Sequence, residues 1–342
     1  MNCRWAPSVA DGAHLRNTRT MNEKMKNRFI ATGFQKVAIP IIALLMVSNV
    51  ITLLWVFAGP RSEKDKANDK FTLIDPARNI ISQEHYLTTI EPLRKAVRAF
   101  VEKENIPASI YIEFLNTGAN ISINPDFRFW PASLAKVPIT VAVMSTIESG
   151  LWTLEQKFTL EEEDKDKNSS RLHEYPVGTV FSARELLEET LIRSDNTAYR
   201  ILLRNLPLSE IEEMKSAIGL EELFDKEGRI SAKEYSRFFR MLYGSSYLKR
   251  ENSQYLLSLL DRSEFKEFLR TEVPDTVPFP HKYGENPSAH AYNDSGIVYV
   301  PSRPYLITVV MQGDGKPDEK ERVKKVMRHI SKISYAYFSQ AK

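Results

Sequence analysis

Ser133 and Lys136 stand three residues apart in FWPASLAKVPIT, the stretch from Phe129 to Thr140. A hydroxyl and an amine at that spacing share one face of a helix, so the lysine can reach back to the serine. Such a pair supplies a nucleophile and a base for acyl transfer. If Ser133 opens the helix, unpaired backbone N–H groups and the positive end of the dipole favour the negative charge that develops there. For Lys136 to accept a proton near pH 7 its pKa must fall far below the usual ~10.4, which burial or a nearby cation such as Lys282 would bring about. Pro138 also withholds an N–H from the carbonyl of Leu134, a loss of about 3 kcal/mol in a plain helix interior. The bland alternative is a core-edge helix with a surface lysine. Ser-x-x-Lys alone does not decide, because it recurs at Ser263 to Lys266 and at Ser339 to Lys342 without comparable surroundings.

Two further triplets follow in order, Ser194-Asp195-Asn196 and Lys282-Tyr283-Gly284. By itself the first is also a good helix cap or turn. His281 adjoins the second and reads as a packed or solvated imidazole. Two acidic stretches imitate calcium loops. The run from Asp164 to Tyr175 has Ser169 where glycine is needed and ends on tyrosine, and that from Asp225 to Glu234 is too short, so both read as solvated turns. The single cysteine, Cys3, excludes an internal disulfide and a Cys-His metal site. A net charge of +3 with scattered basic residues gives nucleic-acid binding no support. No metal or cofactor is expected.

The elements that must position these residues are legible in outline. Ile90, Leu93, Val97 and Val101 recur at helical spacing, with Pro92 tolerable in a first turn. ASIYIEFLNTGANISI then reads as two strands about the turn residues Asn116, Thr117 and Gly118. SGIVYVPSRPYLITVVMQG supplies two more strands. Val323, Val326, Met327, Ile330 and Ile333 lie on one face of a last helix. The end segments are expected to form an antiparallel sheet covered by the two terminal helices, with residues 134–270 as a helical lobe.

The three triplets, taken together, resemble the signature set of class A β-lactamases and related serine penicillin-recognising enzymes: Ser-x-x-Lys, Ser-Asp-Asn and Lys-Thr-Gly. RFWPASLAKVP, GTVFSARELLEETLIRSDNTAYRILL and HKYGENPSAHAYNDSGIVY extend the likeness, which covers about residues 88–337. It implies an α+β, β-lactamase/transpeptidase-like fold, a five-stranded antiparallel sheet flanked by terminal helices plus an all-helical lobe. It implies catalytic roles for Ser133, Lys136 and Ser194, the last relaying a proton to the leaving nitrogen. Asp195 would tie its loop to its own backbone, and Asn196 would bind the substrate amide. Lys282 would offer positive charge to a substrate carboxylate, and Gly284 would let the acyl group approach the strand. The backbone N–H groups of Ser133 and Glu285 would form the oxyanion hole.

Two departures stand out. Tyr283 replaces the family's small hydroxyl residue. No Glu-x-x-Leu-Asn segment, the source of the deacylating base, lies between Asn196 and Lys282; Glu221, Glu222 and Glu227 are the nearest candidates. The resemblance therefore implies a serine hydrolase acting through a Ser133 acyl-enzyme on β-lactam-like amides. The alternatives are a D-alanyl-D-alanine peptidase-like enzyme or a catalytically idle wall-binding module. Expected partners are a β-lactam or a peptidoglycan stem peptide, and a monomer is expected.

Residues 37–58 form a run of 22 residues without a charge, long enough for one transmembrane helix. A cleaved signal peptide is the rival reading. The twenty residues on each side hold five basic residues apiece, so charge does not orient the span. The expected organisation is a tail over 1–36, an anchor over 37–58, a linker over 59–86 and the hydrolase domain over 87–342, outside the cytoplasm at the cell membrane.

Overall fold

The computed structural model describes residues 40–41, 44–50, 90–168 and 170–340. The chain divides into two units, Met1–Ile80 and Ile81–Lys342. In the first, the described residues 40–41 and 44–50 are helical. The expected tail and linker lie outside the described residues, as does most of the expected span. Among the described residues no helix is long and apolar enough to cross a membrane.

The second unit opens with α1 (Glu91–Glu104), whose Leu93, Val97 and Val101 are buried and whose early turn holds Pro92. Strands β1 (Ala108–Phe114) and β2 (Ala119–Ile123) form the expected hairpin. Gly118, at φ +73°, closes it by donating its N–H to the Phe114 carbonyl at 2.8 Å. Strands β5 (His281–Asn286), β6 (Ala291–Val298) and β7 (Tyr305–Gln312) complete a five-stranded antiparallel sheet in the order β2-β1-β7-β6-β5. The last helix, α8 (Glu319–Gln340), buries Val323, Val326, Met327 and Ile330 beside Val97 and Val101 of α1 on one face of the sheet.

The other face supports a lobe built around α2 (Lys136–Glu148). Ten of its thirteen residues are buried and its apolar character runs all round, which marks a helix enclosed by others. Around it pack α3 (Ala183–Ile192), α4 (Asn196–Asn205), α5 (Leu208–Ala217), α6 (Ala232–Gly244) and α7 (Arg250–Asp261). Two capping boxes, Ser182 with Glu185 and Ser231 with Glu234, start α3 and α6. The lobe is not all-helical as expected. Strands β3 (Lys157–Thr159) and β4 (Val180–Ser182) pair as a short ribbon. Three residues per strand are too few for alternation to register in the sequence.

Candidate active site

Ser133 lies not in an α-helix but in a tight 3-10 turn, Ala132–Ala135, and Lys136 is the first residue of α2. The 3-10 geometry eclipses residues three apart, so it aligns the pair more closely than the expected helix would. Ala132, just before the serine, adopts φ +49°, and Ser194 adopts φ +61°. Left-handed backbone at a residue with a β-carbon costs roughly 1–2 kcal/mol. Such strain persists only where the surroundings over-determine it, and here it falls on both sides of one cleft.

Three segments distant in sequence meet at two amines. The Lys136 Nζ lies 3.0 Å from Ser133 Oγ, 2.6 Å from the Ser194 carbonyl, 3.0 Å from Ser194 Oγ and 2.6 Å from Asn196 Oδ1. The Lys282 Nζ donates to Ser194 Oγ at 2.8 Å and to the Tyr283 carbonyl at 3.1 Å. Lys136, Ser194 and Lys282 are buried, whereas Ser133 and Asn196 are partly exposed.

Burial lowers the Lys136 pKa to about 7, against the opposing fields of Asp195 and Asp166. Lys282 is pushed well below its ordinary value by burial and by the charge of Lys136. The hydrogen-bond count then assigns the protons. A neutral Lys136 has two N–H bonds and one lone pair. The Ser194 carbonyl and the Asn196 amide oxygen can only accept, so they take the two N–H groups. The lone pair is left for a hydroxyl, and the Ser133 O–H can donate to it.

The strand β5 comes so close to the serine turn that only glycine fits at 284. A β-carbon there would lie 2.8 Å from the Pro131 carbonyl oxygen and 3.0 Å from the backbone nitrogens of Ser133 and Leu134. The glycine therefore serves the approach of backbone to backbone, where the sequence suggested the approach of an acyl group. The same contact sets the Ser133 backbone nitrogen beside Gly284 of β5. Asn293, opposite Gly284 in the β5–β6 register, donates from Nδ2 to the carbonyls of Trp130 and Pro131 at 2.9 and 3.1 Å.

Asp195 does more than cap its own helix. It accepts from Ala198 N at 2.8 Å, and also from Arg171 N at 2.6 Å, Leu172 N at 3.0 Å and Ser170 Oγ at 2.9 Å. It thereby ties the segment at 170–172 to the base of the Ser194 loop. Asn196 extends the tie through Nδ2, which donates to the Asn168 carbonyl at 2.7 Å. Asn293, Tyr235, whose hydroxyl donates to the Leu134 carbonyl, and Phe265, whose ring lies 5.7 Å from the Lys282 Nζ, also shape the site and carry no local sequence signal.

The remaining candidates resolve as packing or surface groups. His281 is buried, stacked on Phe279, with Nδ1 2.9 Å from Asp294 Oδ1. Ser263 is buried away from Lys266, which faces solvent near Asp275. Asp164 accepts from Arg204 at 2.9 and 2.8 Å, and Asp225 lies against Arg128 and Arg229. Glu221 and Glu222 are exposed and Glu227 pairs with Arg229 at 2.9 Å, so all three belong to the surface. The turn that carries them is fastened to the serine segment by the backbone bridge Phe129–Ile230 and by Gly228, over which the Trp130 ring sits.

The sequence model of the Beta-lactamase enzyme family matches residues 92–338. Beta-lactamase VEB-1 of Pseudomonas aeruginosa is 22% identical over 264 residues, which are 70% of this chain and 87% of that one. A beta-lactamase of Bacillus licheniformis is 26% identical over 236 residues, 64% of this chain and 76% of its own. Among solved structures, a mutant of PBP-A in its acyl-enzyme complex with penicillin G superposes with a TM-score of 0.65 at 21% identity, covering 73% of this chain and 97% of PBP-A.

Proposed function

The chain belongs to the Beta-lactamase enzyme family, and from that premise we propose that it is a serine hydrolase that forms an acyl-enzyme on Ser133. The carrying observation is the placement of Lys136, whose amine meets two pure acceptors and lies 3.0 Å from the Ser133 hydroxyl, which can donate to its lone pair. Lys136 takes the Ser133 proton as Oγ bonds to the substrate carbonyl carbon, and the carbonyl electron pair moves onto oxygen. The Ser133 and Glu285 backbone N–H groups receive that oxyanion. Collapse breaks the C–N bond, and the proton passes from Lys136 through the Ser194 hydroxyl, which also touches Lys282, to the leaving nitrogen.

The substrates proposed are β-lactam-like amides, with D-alanyl peptide bonds of the cell wall as the second reading. The peptide reading is favoured by the surface placement of Glu221, Glu222 and Glu227, which removes these three as bases for acyl-enzyme hydrolysis. We place the domain outside the cytoplasm on an anchor over residues 37–58, which suits a wall substrate. Intact-mass analysis after incubation with a penicillin tests the chemistry. A persistent adduct on Ser133, absent from Ser133→Ala, supports the reading, and full biological function in Ser133→Ala would favour an idle module.

A further inference from the structure

The carbonyls that flank Ala132 and Ser133 are gripped from other segments of the chain. Phe129 exchanges backbone hydrogen bonds with Ile230 at 2.9 and 3.0 Å, and the Leu134 carbonyl accepts from Tyr235. The two carbonyls nearest Ala132 on its N-terminal side, those of Trp130 and Pro131, accept from a single group, the Asn293 amide, at 2.9 and 3.1 Å. The Pro131 carbonyl also receives the Leu134 N–H at 3.1 Å, the bond that closes the turn around Ser133.

Asn293 is fully buried on β6 and, in register with Gly284, faces the serine turn. Its Oδ1 is buried too and accepts no hydrogen bond among the described residues. Turning the amide round gives no better fit, because an oxygen aimed at two carbonyls has nothing to donate. Burying an amide oxygen without a donor is unfavourable, and an apolar side chain of the same shape would avoid it. What the asparagine supplies against that disadvantage is a pair of N–H groups on two successive carbonyls.

Those carbonyls lead into the strained backbone. Pro131 is right-handed, at φ −71° and ψ −21°, and Ala132 follows at φ +49°. A right-handed residue followed by a left-handed one turns successive backbone N–H groups to one side, an arrangement that receives anions. The next N–H in line is that of Ser133. Strain of this kind lasts only where neighbouring contacts enforce it.

Resting on the acyl-enzyme reading of Ser133, we propose that Asn293 is a positioning residue for acyl transfer. By holding the Trp130 and Pro131 carbonyls it keeps Ala132 in its strained conformation, so that the Ser133 N–H points at the forming oxyanion. Asn293 acts through the backbone, and its effect falls on the transition state, where the oxyanion exists.

Two substitutions separate this role from packing. Asn293→Leu keeps the shape and removes both donors, whereas Asn293→Ala removes the donors and leaves space. Rapid-quench intact-mass time courses over a range of penicillin G concentrations give the maximal acylation rate of Ser133 and the half-saturating concentration. Both variants should lose about tenfold or more in maximal rate, with the half-saturating concentration within about twofold of wild type. Circular dichroism and urea unfolding establish which variants fold, and either one that does carries the test. A wild-type maximal rate in a folded variant overturns the proposal; in Asn293→Leu alone, it would assign Asn293 to packing. A loss confined to the half-saturating concentration overturns it as well. If the wild type reacts with a fluorophosphonate and not with penicillin G, the same comparison is made with that probe, whose phosphoryl oxygen needs the same donors. A wild type that reacts with neither removes the acyl-enzyme reading of Ser133 itself.

Discussion

The phenol of Tyr235 donates to the carbonyl of Leu134 at 2.8 Å, in the place where an α-helix would put the N–H that Pro138 lacks. Tyr235 is fully buried on α6, so a side chain about a hundred residues downstream completes the turn that carries the nucleophile. What looked like a broken helix rule is a satisfied one. Pro138 falls in the first turn of α2, where proline costs little.

Tyr235→Phe should therefore leave a buried carbonyl without that partner at nearly constant volume. A loss of about 1–3 kcal/mol is expected. Urea unfolding checks it, and an unchanged midpoint would remove Tyr235 from the support of the serine turn.

Gly284→Ala forces a methyl against three backbone atoms of that turn. Ser133 acylation should fall by about 10²-fold, the scale of one misplaced oxyanion donor. Far-UV circular dichroism should stay native. Near wild-type labelling kinetics in a folded variant would contradict the placement of the Ser133 N–H beside β5.

Asp195→Asn substitutes an amide that can turn one oxygen, and not two, toward four donors. Its NH₂ group would face the N–H groups of Arg171 and Leu172. About 2–3 kcal/mol of stability should be lost, since hydrogen bonds to a charged group are the stronger kind. Proteolysis should then cut first near residues 165–172, the segment released by the substitution; mass mapping of early fragments reads this out.

The two lysines set the pH response. Lys136, at about 7, is the base in its neutral form, so the acylation rate should rise through pH 7 and level off above it. For stability the sign is as follows. Between about 7 and the usual 10.5 the unfolded chain holds a proton on this lysine that the folded chain has shed, so the stability contribution rises with pH across that window. Lys282, also lowered, acts in the same direction. Buried Tyr235 and Tyr305 keep their protons above the usual 10.0, so beyond pH 10 the unfolded chain holds fewer and stability falls. Urea midpoints from pH 6 to 11 should show a maximum between these limits. A midpoint that declines steadily from pH 7 to 9 would contradict the burial of both amines.

Much of this protein was legible from local order alone. The terminal helices, the β1–β2 hairpin and the strands β6 and β7 follow from side-chain period and turn chemistry, which act over a few residues, whereas β5 entered only through the family resemblance. Residue types and spacing named Ser133 and Lys136, because acyl transfer needs a hydroxyl and an amine; Ser194, Asn196, Lys282 and Gly284 joined the candidate site through the resemblance of the three ordered triplets. Tertiary structure alone decided the rest. Whether Lys136 is a base depends on being stripped of water and surrounded by acceptors from another segment. The reason for Gly284 lies in the chain at 131–134, the support for Leu134 lies on α6, and the covering of Lys282 depends on Phe265 from the loop after α7. Burial and contacts between distant segments have no period and no spacing, so no stretch of sequence, however long, displays them before the chain has folded.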